Sequence, residues 1–184
     1  IMVDPKVVEL QVYNNVPHMM IPVITDIKRV PGALKYLVDE MERRYRLLAI
    51  SRTKNIQGFN EKIEELQKSV PAESQTFGVP RDEGVEDEFT ARKKLPYILC
   101  ILDEFGDIMN SSQERAEVEN GVNRLAAKSR AAGIHVLIAT QRPDAKTITG
   151  TIKSNIGTRI ALRVTSALNS NIILGESGAE TLIG

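Results

Sequence analysis

The apolar positions of this chain change period several times, and each change marks an element. Residues 97–102 form an unbroken apolar run, Tyr97-Ile98-Leu99-Cys100-Ile101-Leu102, that stops on Asp103 and Glu104. A run without polar alternation predicts a strand of a parallel sheet covered on both faces. Ile1-Met2-Val3 is a shorter strand that also ends in an acid, Asp4, and Pro5 stops it there. Met19–Ile24 carries Pro22 and is preceded by Pro17, which makes it an edge or loop segment. From Pro31 the period becomes helical, with Leu34, Leu37, Val38, Met41, Tyr45 and Leu48 on one face. The charges between them (Glu40, Glu42, Arg43, Arg44, Arg46) suit a solvated face with salt-bridge support.

A second helix carries Phe59, Ile63 and Leu66, with Asn55 as its cap. Residues 69–96 include Pro71 and Pro80 and little periodicity. They exceed the roughly 12–15 residues of a routine loop, which predicts a variable surface insertion. Val118, Val122, Leu125 and Ser129 mark a third helix ending at Ala131-Ala132-Gly133, with Gly133 in the left-handed conformation. Strands are then expected over Ile134–Thr140 and Arg159–Val164. Alternating strands and helices give an α/β fold with a mainly parallel sheet.

The chain has 184 residues, enough for one domain with a sizeable core. Its 24 basic residues equal its 24 acidic ones, so any contact with nucleic acid must come from a local patch or a ring of subunits. The one cysteine, Cys100, lies in the apolar strand, which rules out an intrachain disulfide and fits a reducing compartment. No apolar segment approaches the roughly 18 residues needed to span a bilayer. The chain opens on Ile1 rather than Met and is already in a strand there, so it reads as a fragment.

Ligands of open parallel sheets gather at the carboxyl ends of the strands, which puts Asp103 and Glu104 in a binding crevice. This is how a Walker B element is built: the first acid helps hold the hydrated magnesium of a bound nucleotide, and the second activates the attacking water. The alternative is a buried strand that simply ends in two solvated acids. Gln141, just after a strand, can sense a γ-phosphate or be an ordinary polar strand end. Arg159 can stabilise phosphate charge across a subunit boundary or make a surface ion pair. His18 and His135 have no ligand cluster around them and suit structural roles. No GxxxxGK[ST] loop is present.

Taken in order, several segments resemble the motor domain of the FtsK/SpoIIIE DNA translocases. They include Val3-Asp4-Pro5-Lys6, Pro22-Val23-Ile24-Thr25-Asp26, Glu40-Met41-Glu42-Arg43-Arg44-Tyr45 and Leu102-Asp103-Glu104-Phe105. Arg130-Ala131-Ala132-Gly133-Ile134-His135, Ala139-Thr140-Gln141-Arg142-Pro143, Ile148-Thr149-Gly150 and Thr158-Arg159-Ile160-Ala161 continue the match. The resemblance implies a RecA-like, three-layer P-loop NTPase fold over residues 1–184, in a partial domain whose phosphate-binding loop lies upstream. It implies an ATP- and Mg2+-dependent motor that assembles as a ring, usually a hexamer, around double-stranded DNA. Asp103 would be the magnesium-associated acid, Glu104 the catalytic base, Gln141 the sensor and Arg159 the arginine finger.

A cytoplasmic location would follow, with any membrane anchor outside this chain, and a role in chromosome segregation or DNA transfer. Without the upstream loop the chain alone is expected to hold ATP poorly. Lys146, Lys153 and Arg163 are candidate DNA contacts, each otherwise a solvated charge. Asn171 stands where the family usually has arginine, Gly106 where it has alanine and Gly157 where it has proline. A secretion-associated ATPase of related fold, moving protein, and a non-hydrolysing structural subunit are the alternatives.

Overall fold

The computed structural model describes residues 1–69, 93–110 and 114–183. Most of the insertion expected over 69–96 therefore lies outside the described residues. Three parallel strands form the sheet in the order β1-β2-β3: β1 (Met2–Val3), β2 (Ile98–Leu102) and β3 (Ile134–Ile138). Val3 pairs with Leu102, and Leu102 with Ile138, so all three strands end at one edge of the sheet. Ile24 adds a single parallel bridge outside β1, which suits a segment broken by Pro22.

Helix α1 (Val30–Ser51) starts with Pro31 in its first turn and ends with Arg52 in the left-handed conformation. Its apolar face, from Leu34 through Leu37, Val38 and Met41, is buried in the main core with β2, β3 and the later helix residues Val118, Val122 and Leu125. Its far end, Leu47 and Leu48, packs in a second cluster with Ile56, Phe59, Ile63 and Leu95. Helix α2 (Ile56–Ser69) supplies three of those residues and begins at Asn55, whose side chain accepts from Gly58 N at 2.9 Å. Asn60 of α2 brackets Leu95, accepting from its N–H at 2.8 Å and donating to its carbonyl at 2.9 Å.

A short helix, α3 (Phe105–Asn110), follows β2 at once, and α4 (Arg115–Lys128) leads on towards β3. Gly121 lets α4 approach α1 closely: a Cβ there would lie 2.9 Å from Leu34 Cβ. Gly133, at φ +71°, turns the chain into β3 as expected, although α4 itself ends at Lys128. Two further helices follow, α5 (Gly150–Asn155) and α6 (Ala167–Leu174), capped by Thr149 and Ser166, and a 3-10 turn, Ala179–Thr181, comes after them.

Three expectations change. Arg159–Val164 is not a strand: the segment pairs with no strand among the described residues, and Ile160 and Leu162 are 84% and 82% exposed. Alternating apolar residues specify a face, but a ladder also needs a partner. The cover predicted over both faces of β2 is realised on one: Cys100 and Leu102 are buried, whereas Leu99 is 49% exposed. Arg44 does not join a solvated face and is 2% exposed. Its guanidinium reaches Glu40 Oε1 (2.7 Å), Pro96 O (2.8 Å) and Ala132 O (2.9 Å), tying α1 to the approaches of β2 and β3. Arg43 and Glu42 behave as expected, pairing with Glu40 and Arg124 respectively.

Candidate functional site at the carboxyl ends of the strands

The sheet register decides which side chains meet. Because Val3 lies opposite Leu102, the residues after β1 run beside Asp103 and Glu104. Asp103 is half-buried and its N–H donates to Val3 O at 3.0 Å. Glu104 is 2% exposed and has φ 45°, a left-handed conformation that a residue with a Cβ adopts at a penalty of roughly 1–2 kcal/mol. Asp103 and Glu104 form the two-residue turn between β2 and α3. Phe105 N donates to Ala139 O at 2.9 Å, Asp107 N donates to Glu104 O at 2.9 Å, and the Phe105 ring is fully buried.

Glu104 Oε2 accepts from Lys6 Nζ at 2.7 Å, while its Oε1 is buried without a hydrogen-bond partner. The hydrogen bond to Glu104 and the nearby negative charge raise the Lys6 pKa above its ordinary value. Lys6 is itself held by Asp4, a fully buried carboxylate at the end of β1. Asp4 Oδ1 accepts from Lys6 N (3.2 Å), and Oδ2 accepts from Val8, Glu9 and Leu10 N (3.1, 3.1 and 3.0 Å). Wrapping four N–H groups round one carboxylate forces Val7 to φ 58°, an outlier for a β-branched residue.

On the other side, the chain after β3 stays beside the chain after β2. Ala139 N donates to Leu102 O at 2.9 Å, and a Cβ at Gly106 would lie 3.3 Å from Thr140 Oγ1 and 3.5 Å from Arg142 Cβ. Arg142 is 3.9 Å from Asp107. Gln141 therefore lies at the same sheet edge as the acid pair, and it is exposed. The remaining expected site residues sit elsewhere. Arg159 is exposed and donates to Ile173 O (3.3 Å), and Lys153 donates to Asn171 O (3.3 Å), so both dock on the last turns of α6. Cations suit the carbonyl end of a helix. Lys146 and Arg163 are exposed, and the Lys146 carbonyl accepts from Arg115 at 2.9 Å.

Magnesium beside nucleotide is usually held by one or two carboxylates together with phosphate and water, and seldom by a cage of protein ligands. The site fits that pattern: Asp103 is available at the strand end, and among the described residues no group of three or more His, Cys, Asp and Glu could hold a metal by itself.

The family model described as "FtsK/SpoIIIE family" matches residues 1–145. DNA translocase FtsK of Haemophilus influenzae is 48% identical over 185 residues, covering 100% of this chain and 34% of that protein. DNA translocase FtsK of Pasteurella multocida is 47% identical over 184 residues, covering 100% of this chain and 20% of the other. The chain belongs to the FtsK/SpoIIIE family.

It therefore spans about a third or less of the length of these relatives. Among solved structures, the pCW3 conjugation coupling protein TcpA, in its monomer form with ATPγS, matches with a TM-score of 0.69 and 30% identity. That match covers 97% of this chain and 44% of TcpA. The cytoplasmic domain of the Thermomonospora curvata Type VII secretion ATPase EccC matches with a TM-score of 0.57 and 22% identity, over 88% of this chain and 16% of that one, and shows a shared fold. These likenesses agree with the α/β, P-loop ATPase fold class. Among the described residues no helix is long and apolar enough to cross a membrane.

Sequence reasoning named Asp103, Glu104 and Gln141 as candidates, and the fold brings them to one edge. It assigned no role to Lys6 or Asp4, although both lie in the segment Val3-Asp4-Pro5-Lys6. The available signal was a second acid at a strand end with a lysine two residues on; that this lysine reaches Glu104 comes from the register of β1 against β2.

Proposed function

We propose that residues 1–184 are part of the motor domain of an ATP-driven, double-stranded DNA translocase, with residues 69–96 as a surface insertion. The observation that carries this reading is the Asp103-Glu104 pair at the carboxyl end of a central parallel strand, in a chain of the FtsK/SpoIIIE family. Crevices at that edge are where open parallel sheets bind ligands.

In this mechanism Asp103 would hold the hydrated magnesium that accompanies ATP. The ion supplies charge neutralisation on the phosphates. Glu104, once its carboxylate reaches the attacking water, takes a proton from it. Gln141 orients that water or senses the terminal phosphate from the neighbouring strand end. Arg159, exposed on the surface, serves as an arginine finger towards an adjacent subunit of a ring, and a hexamer is the usual ring of such motors. This requires it to leave Ile173 O, an exposed contact at 3.3 Å. Lys146, Lys153 and Arg163 contact the phosphate backbone, because a motor that advances along any sequence cannot depend on base edges. The motor works in the cytoplasm with any membrane anchor outside this chain, and it moves DNA in chromosome segregation or DNA transfer.

The test is steady-state ATP hydrolysis by the full-length protein with and without long duplex DNA. Strong stimulation that weakens as salt rises is the expected result. Hydrolysis indifferent to DNA overturns the translocase reading and favours a motor acting on protein.

A further inference from the structure

The Lys6–Glu104 pair is arranged in a way that the proposed reaction does not use. A general base must reach a water molecule, and neither oxygen of Glu104 does so here. Oε2 is taken by the Lys6 ammonium at 2.7 Å, and Oε1 is buried with no partner. A buried acceptor without a hydrogen bond is unfavourable, and a carboxylate oxygen more so. Something must therefore hold the side chain where it is.

Both halves of the pair are held by strained backbone. Glu104 is at φ 45°, and Val7, the residue after Lys6, is at φ 58°. Left-handed outliers of this kind persist where the surroundings over-determine them, and they cluster at switch regions. On the Lys6 side the determinant is visible. The buried Asp4 carboxylate gathers the N–H groups of Lys6, Val8, Glu9 and Leu10, so the loop after β1 is a preformed mount. The lysine side chain itself is 44% exposed, so its hold on Glu104 can be broken from the solvent side.

We infer that Lys6 is a positioning residue that keeps Glu104 in a resting arrangement, its free oxygen shut away from water, until the loop after β1 moves and the carboxylate is released. The inference rests on the reading of Glu104 as the base. Removing the ammonium leaves an uncompensated carboxylate in a buried site, which drives the side chain towards water and hence towards the attacking position.

The experiment compares ATP hydrolysis by the full-length wild-type protein with that of Lys6→Met, Lys6→Gln, Lys6→Arg and Glu104→Gln, each with and without duplex DNA. Lys6→Met raises the DNA-free kcat by roughly threefold or more, through the shifted population of released carboxylate, and leaves KM for ATP nearly unchanged. The ratio of stimulated to basal rate falls accordingly, and Lys6→Arg restores the wild-type ratio. Lys6→Gln keeps a donor without the charge and decides the matter if Lys6→Met fails to fold. A merely structural lysine lowers both rates together and leaves the ratio alone. A basal kcat that stays the same or falls in Lys6→Met and Lys6→Gln overturns the inference. If Glu104→Gln is silent while the Lys6 variants show no rise, this inference alone fails; if Glu104→Gln hydrolyses ATP like wild type, the assignment of the base fails and takes this inference with it.

Discussion

Replacing Arg44 by methionine tests how the sheet edge is held in place. The guanidinium stands between α1 and the starts of two strands, donating to Pro96 O at 2.8 Å and Ala132 O at 2.9 Å while its Nε donates to Glu40 Oε1 at 2.7 Å. Methionine fills much of the space left by the arginine stem and provides none of these donors. Each stranded acceptor costs about 1–3 kcal/mol, and breaking a buried charged contact by removing one partner costs about 3–5 kcal/mol. The expected loss is therefore about 3–5 kcal/mol, because some water can reach the freed carbonyls. Lysine keeps the charge but cannot fork between two carbonyls and a carboxylate, so Arg44→Lys falls between wild type and Arg44→Met.

Glu40 gives the same contact a pH signature. Burial acts to raise its carboxyl pKa, but the hydrogen bonds and charges of Arg43 and Arg44 outweigh it and hold the group below its ordinary value of 4.5. A carboxyl whose pKa is lower folded than unfolded binds fewer protons in the native state. Its stabilisation is therefore complete above the ordinary value and is lost as pH falls through the depressed one. Arg44→Met removes one of the two supports, so the acid loss of stability begins at a higher pH than in wild type. Urea unfolding followed by far-ultraviolet circular dichroism, repeated from pH 7 to pH 3, measures both effects. A loss below about 1 kcal/mol at pH 7 would mean that Arg44 behaves as an ordinary surface charge and does not hold the two strands.

Two further outcomes follow from the packing. Gly133→Ala places a Cβ 2.4 Å from Ile56 Cδ1 at φ +71°, so strain of about 1–2 kcal/mol adds to overpacking of about 1–3 kcal/mol; a urea midpoint equal to wild type would contradict this. Cys100 is buried in β2, and burial pushes its thiol pKa up to about 11, so iodoacetamide at pH 8 leaves it unmodified in the native protein and alkylates it in urea. Rapid alkylation of the native protein would show that β2 is not the buried strand described.

The elements that were legible in the sequence are those whose signal is local. The apolar face of α1, from Leu34 to Met41, follows from spacing alone, and so do the Asn55 cap and the acid pair that ends β2. What escaped depends on residues far away in the chain. Among the charges of α1, Arg44 follows Met41 by three and precedes Leu48 by four, so spacing puts it on the flank of the apolar face and Arg43 opposite, but spacing does not announce the carbonyls 52 and 88 positions away that converge on it. Lys6 meets Glu104 across 98 positions, through the register of β1 against β2. The left-handed backbone of Glu104 has no local signal either, and the start of α3 is tied by Phe105 N to the carbonyl of Ala139, 34 positions away. Residues 159–164 have a strand's alternation, and what they lack is a neighbouring strand to pair with among the described residues.

If Glu104 is the base of a nucleotide-driven motor, Glu104→Gln abolishes its chemistry without abolishing binding. The substitution keeps the size of the side chain and a hydrogen-bonding oxygen while removing the carboxylate. ATP binding and DNA-stimulated hydrolysis are measured on the full-length wild type and variant under the same conditions. Binding stays within a few-fold of wild type and hydrolysis falls by about 10²–10⁴-fold, the usual contribution of a positioned general base. Hydrolysis that persists near the wild-type rate would contradict the assignment of Glu104 as the base.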